Sequence, residues 1–376
     1  MDSDLSGFPP ERARALALAK GLAATASAIE SVSRETGVEA ARWAFLQWEL
    51  RAKAAGKFEL ADQMLFDRDG LEMATHERVA AFRASRYPEG SRVADLTCGI
   101  GADLIALARR GSVVGFEVEA QRAAMARHNL SVHGLSGEVV EQDCLGAAWD
   151  FEYAFADPSR RPGGRRTLNP ADFLPDPVAL AQRFEQLKLG AIKLSPMLAD
   201  SFLESLGGRL EFLSYGGECR EALVWLGREA VPGRHAVHVE SGEHLEAGEP
   251  GPLTEEPGEW LLEADPAAIR AHGLGTLSRR FNLRELGDSN GYLTGEPATS
   301  PWLRSFRVLH HGPADLKRTT AALRELGAGT PELKQRGAGQ DLIALRKKLK
   351  REGSRRVALA IWVVGKSLRH TVLELP

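Results

Sequence analysis

The stretch of residues 93–103, Val-Ala-Asp-Leu-Thr-Cys-Gly-Ile-Gly-Ala-Asp, decides the fold. It begins with a short apolar run that is typical of a buried parallel strand and ends at a polar turn. Gly99 and Gly101 permit backbone conformations, and a close approach to a ligand, that a side chain would prevent. From Ala102 the apolar residues recur at helical spacing, so we expect a helix directly after the turn. Its free N–H groups and positive dipole end favour a nucleotide-like ligand.

The composition limits the class of protein. At 376 residues, the chain is long enough for two or three domains. A hydrophobic share of 43% and a charged share of 26% are typical of a soluble globular protein. The three cysteines, Cys98, Cys144 and Cys219, are too few and too scattered for a disulfide framework or a zinc site, which indicates a reducing compartment. With no signal pattern and no apolar run of membrane-spanning length, we expect a cytoplasmic protein.

The charge is distributed unevenly along the chain. The net charge is −3, but residues 304–376 contain sixteen Lys or Arg and only six Asp or Glu, so the remainder is strongly acidic. A basic cluster of this size predicts that the C-terminal part binds a polyanion. The alternative is that it pairs with the acidic remainder of the same chain.

The periodicity predicts four regions: helical residues 1–88, an α/β domain at 89–240, a connecting region at 241–300 and a basic α/β unit at 301–376. Alternating strands and helices in the second region indicate a Rossmann-like, mostly parallel seven-stranded sheet, with an antiparallel pair at one edge. The residues assigned to helices before this sheet are 12–29, 40–55 and 75–86, the last capped by Thr75. The strands of the sheet are assigned to residues 93–96, 112–117, 137–142, 153–156, 190–194, 209–214 and 221–226.

Acidic residues end the first three predicted strands of the sheet, at Asp95, Glu117 and Asp143. A dinucleotide-binding turn would need a third glycine after Gly99 and Gly101, and that glycine is absent, which disfavours a nicotinamide dehydrogenase. Each acid alone could be a helix cap or a loop carboxylate. The three together, in order at successive strand ends, indicate one ligand site.

This arrangement resembles the class I S-adenosylmethionine-dependent methyltransferases. The resemblance implies that Asp95 lies near the methionine moiety of S-adenosylmethionine, that Glu117 accepts from both ribose hydroxyls, and that Asp143 accepts from the adenine amino group. A carboxylate suits the ribose because it offers two acceptor oxygens. The residues that we expect to hold this cofactor are Asp95, Cys98, Gly99, Gly101, Glu117, Asp143 and Asp157.

The fourth strand runs into Asp157-Pro158-Ser159-Arg160, which resembles the Asp-Pro-Pro-aromatic or Asp-Pro-Pro-Arg motif of methyltransferases that modify nucleic-acid bases. The resemblance implies that Asp157, Pro158 and Arg160 are catalytic, and that the Asp157 carboxylate and the carbonyl of Asp157 or Pro158 accept from an amino group that faces the methyl. In-line displacement at a sulfonium depends mainly on such orientation. Ser159 stands where the motif has a second proline, and Arg160 where it has an aromatic residue that stacks on the base.

Two resemblances cover longer parts of the chain. Residues 98–157 are similar to trimethylguanosine synthase, through Cys-Gly-Ile-Gly at residues 98–101, Ala-Arg-His-Asn at 126–129 and the Asp-Pro turn, although the aromatic clamp for a cap guanine is missing. Nearly the whole chain resembles a bacterial methyltransferase family with a C-terminal THUMP-like domain. The shared motifs include Lys-Leu-Ser-Pro at 193–196 and Lys-Gln-Arg-Gly at 334–337. This resemblance implies a role in RNA modification, with transfer RNA or ribosomal RNA as the substrate.

Basic residues near the predicted site and in the C-terminal unit are candidates for contact with RNA phosphates. They are Arg161, Arg165, Arg166, Lys193, Lys334, Arg336, Arg346, Lys347, Lys350 and Arg351. Lys193 has a second interpretation, contact with the Asp157 turn, and each of the others could be an ordinary solvated residue. Leu345 and Leu349 lie four residues apart, so we expect them to pack the basic helix against its own domain, and we expect Trp362 in the core.

The sequence therefore predicts a methyltransferase that uses S-adenosylmethionine to methylate a base nitrogen of RNA. One alternative is an RNA-binding protein on an inactive methyltransferase fold, and another is a methyltransferase for a small molecule or a protein. Methylation at C5 of a pyrimidine is disfavoured, because that reaction needs a thiolate near the base and none of the cysteines lies where it could act.

Overall fold

The computed structural model describes Leu5, residues 7–159 and residues 167–375. Contacts divide the chain into two compact units. Unit 1 comprises Met1–Gly208 and Val224–Val231, and unit 2 comprises Arg209–Leu223 and Pro232–Pro376. The two units are described separately below.

Unit 1 begins with helices, as the sequence predicts. They are α1 (Pro10–Leu18), α2 (Ala26–Thr36), α3 (Val38–Ala54), α4 (Arg68–Met73) and α5 (Glu77–Ala84). The predicted single helix at residues 12–29 was wrong, because α1 and α2 are separate. Gly21 has a positive φ of 74°, and the Thr25 side chain accepts a hydrogen bond from the Ala28 N–H to begin α2.

The parallel sheet of unit 1 follows these helices and confirms the predicted fold class. Its strands are β1 (Val93–Asp95), β2 (Val113–Phe116), β3 (Glu138–Val140), β4 (Tyr153–Ala156) and β5 (Leu189–Leu194), in the spatial order β3-β2-β1-β4-β5. Each described pair of neighbours among them is parallel. The helices that connect and flank them are α6 (Ala102–Ala108), α7 (Ala120–Val132), α8 (Pro177–Phe184) and α9 (Asp200–Ser205).

The strand order brings the predicted site residues to one edge of this sheet. Asp95 of β1 is in register with Gly115 of β2 on one side and with Phe155 of β4 on the other. Because the strands are parallel, their carboxyl ends and the loops that follow them lie along the same edge. Reversal of strand order at β1, from β2 on one side to β4 on the other, makes this edge the expected ligand-binding position.

Unit 2 contains the predicted last pair of strands, β6 (Arg209–Tyr215) and most of β7 (Glu218–Leu226). They are neighbours joined at Gly216 and Gly217, both with positive φ. The prediction that this pair forms an edge was wrong, since β6 also pairs in parallel with β8 (Gly233–His238), and β8 pairs with β9 (Glu243–Glu246). The count of seven strands omitted β8 and β9, whose mixed polar sequences give little strand signal.

A second sheet in unit 2 has eight strands in the order β10-β12-β13-β11-β14-β17-β16-β15. The strands are β10 (Leu253–Thr254), β11 (Trp260–Ala264), β12 (Arg284–Leu286), β13 (Tyr292–Thr294), β14 (Leu303–Pro313), β15 (Glu332–Gln335), β16 (Val357–Val364) and β17 (Ser367–Glu374). The helices are α10 (Pro266–Arg270), α11 (Leu274–Phe281), α12 (Leu316–Glu325) and α13 (Leu342–Lys348). Residues 241–300, which the sequence assigns to a connecting region, contain strands β9–β13 and helices α10 and α11, and β9 and β10 are both paired.

The core of this second sheet confirms two predictions. Trp362 is buried among the apolar residues of β11, β14, β16 and β17, and its Nε1 donates to Thr371 Oγ1 at 3.1 Å. Leu349 is buried and Leu345 partly buried against a neighbouring apolar cluster, while Arg346 and Lys347 are exposed. Helix α13 is therefore fixed by its leucines and presents basic side chains to solvent.

Candidate active site

The turn between β1 and α6 adopts the predicted conformation. Gly101 caps α6 with φ 89° and ψ 15°, in the left-handed region, and Gly99 has a φ of 54°. A Cβ at Gly101 would lie 3.2 Å from the Ala126 Cα of α7, so only glycine brings the turn this close to that helix. The buried Asn129 side chain of α7 donates to the Ile100 carbonyl at 2.8 Å and fixes the turn from the side.

Asp95, at the end of β1, is fully buried. Its Oδ1 accepts a hydrogen bond from the Thr97 N–H at 3.2 Å, but among the described residues its Oδ2 has no hydrogen-bond partner. Burial, with the nearby negative charge of Asp103, raises the pKa of Asp95 well above its ordinary value. A buried carboxylate oxygen that lacks a donor is costly, so the site is suited to a ligand that supplies one.

Glu117 and Asp143 follow β2 and β3 along the same edge. Glu117 is partly buried, its Oε1 accepts from the Glu119 N–H at 2.9 Å, and burial raises the pKa of its carboxyl group. Val118, the next residue, is 69% exposed although it is apolar. Asp143 is exposed, and its Oδ1 accepts from the Leu145 N–H at 2.9 Å, which caps a short 3₁₀ turn. Asp143 thus has a capping role whatever else it binds.

Asp157 and Pro158 follow β4, on the other side of β1. The Asp157 N–H donates to Thr97 Oγ1 at 2.6 Å, which joins this loop to the glycine turn. Its side chain is 29% exposed, and its Oδ2 lies 2.5 Å from the Nζ of Lys193, a β5 residue. The structure thus shows one of the two contacts predicted for Lys193, the contact with the Asp157 turn. Ser159 forms an isolated antiparallel bridge with Leu174, and Arg160, Arg161, Arg165 and Arg166 lie outside the described residues.

A chain of polar contacts behind Asp157 was not predicted. Lys193 Nζ also donates to Thr75 Oγ1 at 3.0 Å, and Thr75 Oγ1 donates to Asp103 Oδ2 at 3.0 Å. Asp103 in turn forms an ion pair with the nearly buried Arg83. The prediction that Thr75 caps the following helix was wrong, because His76 Nδ1 caps α5 by accepting from the Arg78 N–H. Only the tertiary structure brings these segments together, so periodicity gave no signal for the network.

The three cysteines are free thiols. Cys98 and Cys144 are buried, and Cys219 is partly buried. Burial raises the pKa of Cys98 well above its ordinary value and raises those of Cys144 and Cys219 to about 12. A Cβ on Gly115 would lie 2.9 Å from Cys98 Sγ, so the Cys98 side chain packs against β2. These environments do not favour a thiolate nucleophile.

The basic candidates of unit 2 differ in their surroundings. Lys334 Nζ lies 2.6 Å from Glu263 Oε2, and the Arg336 guanidinium lies 3.6 Å from the other oxygen of the same carboxylate. Arg346, Lys347 and Lys350 are exposed. Arg351 is partly buried and donates from Nη1 to the Thr320 carbonyl at 2.9 Å. The Lys334 and Arg336 side chains of the motif at residues 334–337 are thus paired with Glu263 within unit 2, whereas the basic face of α13 is open to solvent.

The part of the chain that the structure describes contains no group of three or more His, Cys, Asp or Glu side chains placed to hold a metal ion. None of its helices is both long and apolar enough to span a bilayer.

Comparison with known proteins identifies the C-terminal region and the fold. Residues 303–375 match the THUMP domain-like family. The fold matches the crystal structure of a protein from Porphyromonas gingivalis W83 that is described as a methyltransferase, with a TM-score of 0.70 and 22% identity over 90% of this chain and 91% of that chain.

Two sequence relatives match the chain over different lengths. An 81-residue segment, 19% of this chain and 18% of the relative, is 35% identical to a 23S rRNA (uracil(1939)-C(5))-methyltransferase of Nitrosospira multiformis. Over 334 residues, 85% of this chain and 92% of the relative, it is 35% identical to an uncharacterized S-adenosylmethionine-dependent methyltransferase of Mycobacterium tuberculosis. With its fold, its acidic strand ends and this full-length similarity, the chain belongs to the family of S-adenosylmethionine-dependent methyltransferases.

Proposed function

We propose that this enzyme methylates a nitrogen atom of an RNA base, and that Asp157 and Pro158 hold the acceptor. The observation that carries the proposal is the position of Asp157. Its carboxylate is partly exposed, is fixed by Thr97 and Lys193, and follows the strand beside the one that leads into the glycine turn. A fixed acceptor oxygen at this place can orient an N–H group toward a methyl donor bound at the turn.

The residues at the sheet edge fit S-adenosylmethionine. The Asp95 oxygen that lacks a partner among the described residues can accept from a cationic amino group, and the half-buried Glu117 carboxylate can accept from two adjacent hydroxyls. Exposed Val118 offers an apolar surface to a flat ring, and exposed Asp143 can accept from a ring amino group. Gly99, Gly101 and Cys98 contribute backbone at the turn. When bound, the cofactor would supply an electrophilic methyl group on a sulfonium, and S-adenosylhomocysteine would leave as an uncharged thioether when a neutral nitrogen attacks the methyl carbon.

The residues described around the proposed acceptor site favour methylation of a base nitrogen over methylation of a base carbon. Methylation at C5 of a pyrimidine needs a thiolate, and burial keeps each of the three cysteines protonated at neutral pH. A nitrogen acceptor needs only orientation and a place for its proton, which the Asp157 carboxylate and the main-chain carbonyls at Pro158 can provide. Two exposed apolar side chains are available: Leu174 is opposite Ser159, and Met197, 73% exposed, follows β5, the strand next to β4. Either can pack against a base in place of the missing aromatic residue.

The proposed substrate is RNA, from either the transfer or the ribosomal class, in the cytoplasm. The THUMP domain-like match at residues 303–375 coincides with the excess of ten positive charges in residues 304–376. Exposed Arg346, Lys347 and Lys350 are the strongest candidates for phosphate contact, because Lys334 and Arg336 are engaged with Glu263. Phosphate contact through Arg161, Arg165 and Arg166, and a catalytic role of Arg160, remain predictions from their position in the sequence after Asp157.

Mass spectrometry of modified nucleosides tests this proposal. Transfer and ribosomal RNA would be compared between cells that have the protein and cells that lack it, with the deletion complemented by wild type, Asp157→Ala or Glu185→Ala. Glu185 is an exposed acid of unit 1 and serves as the matched control. We expect one methylated nucleoside that wild type and Glu185→Ala restore and Asp157→Ala does not. Unchanged RNA in the deletion strain would contradict an RNA substrate.

A further inference from the structure

Five side chains from separate segments form one line of contacts that ends at the proposed acceptor site. In order they are Arg83, Asp103, Thr75, Lys193 and Asp157. They come from α5, from the first turn of α6, from the residue two before α5, from β5 and from the loop after β4. The line therefore joins the helix that begins at the glycine turn to the carboxylate proposed to hold the acceptor.

The charges along this line alternate and balance. Two cations and two anions are present, and both cations are shielded from solvent: the Lys193 side chain is 14% exposed and that of Arg83 only 3%. Thr75 links the two ion pairs, because its single hydroxyl proton is donated to Asp103 and its oxygen accepts from Lys193. Such networks rigidify a site when each member has its partner. Lys193 is thus held from one side by Thr75 while it holds Asp157 on the other.

This geometry leaves the two Asp157 oxygens inequivalent. Oδ2 accepts from Lys193 at 2.5 Å, and the backbone of the same residue is tied to Thr97 at 2.6 Å. A carboxylate without such a restraint can rotate and present either oxygen. We propose that Lys193 is a positioning residue for Asp157: it keeps Oδ2 and so directs Oδ1 toward the acceptor nitrogen. The inference rests on the proposed function, in which Asp157 serves the acceptor.

Lys193 also sets the charge near the methyl donor. With the ion pair intact, the anion of Asp157 is balanced by a cation 2.5 Å away. Replacement of Lys193 by a neutral side chain leaves that anion uncompensated in a partly buried site, where charges interact more strongly than in water. A ligand with a positive charge at the methyl position should then bind more tightly, relative to one without it.

A pair of cofactor analogues measures this effect without any RNA. Sinefungin has a cationic amine at the methyl position, whereas S-adenosylhomocysteine has an uncharged thioether. We expect Lys193→Met to shift the ratio of their dissociation constants by about fivefold in favour of sinefungin. Lys188→Met, at a partly exposed lysine of unit 1 paired with Glu152, should leave the ratio unchanged. An unchanged ratio in a folded Lys193→Met protein would overturn the proposal.

The converse variant keeps the test decisive if Lys193→Met does not fold. Asp157→Asn removes the anion that lies 2.5 Å from the Lys193 ammonium, so the net charge near the methyl position becomes more positive and sinefungin should lose affinity relative to S-adenosylhomocysteine. The shift should be of similar size and opposite sign. The same ratio in Asp157→Asn and in wild type would show that this pair does not act at the methyl position.

Methyl transfer to RNA from cells that lack the protein separates positioning from substrate binding. Lys193→Met should lower kcat by about tenfold to a hundredfold at unchanged KM for RNA, and Lys193→Arg should recover part of kcat. A raised KM with an unchanged kcat would instead mean that Lys193 contacts a substrate phosphate, against the proposal. If wild type transfers no methyl group to RNA, the proposed function fails, and the analogue ratio still decides the role of Lys193.

Discussion

Two lysine–carboxylate pairs in this protein have nearly the same geometry and different positions. Lys193 and Asp157 lie 2.5 Å apart in unit 1, and Lys334 and Glu263 lie 2.6 Å apart in unit 2. Asp157 stands in a loop after a parallel strand, with 29% of its side chain exposed. Glu263 lies within β11, paired on both sides, and is 12% exposed. The contact distance alone therefore does not distinguish a functional pair from a structural one.

The two pairs differ in whether the carboxylate is still accessible to a ligand. At the edge of the parallel sheet, Asp157 keeps a partly exposed carboxylate, and the Asp95 Oδ2 at the end of β1 has no hydrogen-bond partner among the described residues. In the second sheet, Glu263 accepts from Lys334 and faces Arg336, and its remaining exposure is small. Substitutions at the sheet edge should therefore alter ligand affinity or methyl transfer, and substitutions at Glu263 and its partners should alter stability.

The largest effect at the sheet edge that needs no RNA is expected for Glu117→Ala. Loss of the acceptor for two ribose hydroxyls should weaken S-adenosylhomocysteine binding by about tenfold to fiftyfold, with the thermal transition within a few degrees of wild type. Calorimetric titration measures the affinity. Glu138→Ala, at an exposed acid that begins β3, is the control and should bind normally.

The pH dependence of cofactor binding tests the same carboxylate. Burial raises the pKa of Glu117, and the ribose hydroxyls need the ionised form as acceptor. Affinity should therefore fall as the pH is lowered through that raised pKa, at a higher pH than for an ordinary carboxylate. Glu117→Gln should flatten this part of the profile, and an unaltered profile would exclude Glu117 from the site.

Lys334→Met tests whether the Lys334–Glu263 pair in unit 2 contributes to stability and not to cofactor binding. It leaves Glu263 with a partly compensated charge in a nearly buried place, which should lower the free energy of unfolding by about 2 kcal/mol. Denaturant unfolding measures the loss, while the affinity for S-adenosylhomocysteine should stay within about twofold of wild type. Wild-type stability combined with weakened RNA binding would show instead that Lys334 contacts the substrate.

A smaller effect is expected on the basic face of α13. Replacement of Arg346, Lys347 and Lys350 by Gln should weaken RNA binding several-fold and reduce the slope of log affinity against log salt by about two to three. Filter binding at several salt concentrations measures both quantities. Stability should be unaffected, because these side chains are exposed.

A control of equal charge accompanies that triple variant. Lys20, Arg34 and Arg42 are exposed basic residues of the N-terminal helical region, and their replacement by Gln removes the same charge from unit 1. An equal loss of RNA affinity in both triple variants would mean that net charge alone governs binding, against a specific role for α13.

The smallest effect is expected for Asp95→Asn, and it has opposite signs for stability and function. Because burial raises the pKa of Asp95 in the folded state, ionisation of this group opposes folding, and stability is lost as the pH rises from the unfolded pKa to the folded one. Near neutral pH, asparagine should therefore raise the free energy of unfolding by about 1 kcal/mol. Cofactor affinity should fall in the same variant, as unfolding curves and calorimetry would show.

The sequence was sufficient for the features that depend on local pattern. The glycine turn, the acids at the strand ends and the buried face of α13 are all local, and each lies where the periodicity predicted. The network of Thr75, Asp103 and Lys193 could not be predicted, since its members are brought together by helix and strand packing over long sequence distances. The engagement of Lys334 with Glu263 was missed for the same reason, because a basic motif does not reveal its acidic partner.

The most direct test of the central claim, that Asp157 serves methyl transfer, compares wild type with Asp157→Asn in two assays. The first follows transfer of labelled methyl from S-adenosylmethionine to total RNA from cells that lack the protein. The second measures S-adenosylhomocysteine affinity by calorimetry. We predict a rate about a hundredfold lower at an affinity within about threefold of wild type. An unchanged transfer rate in Asp157→Asn would contradict the assignment of the acceptor site to this edge of the sheet.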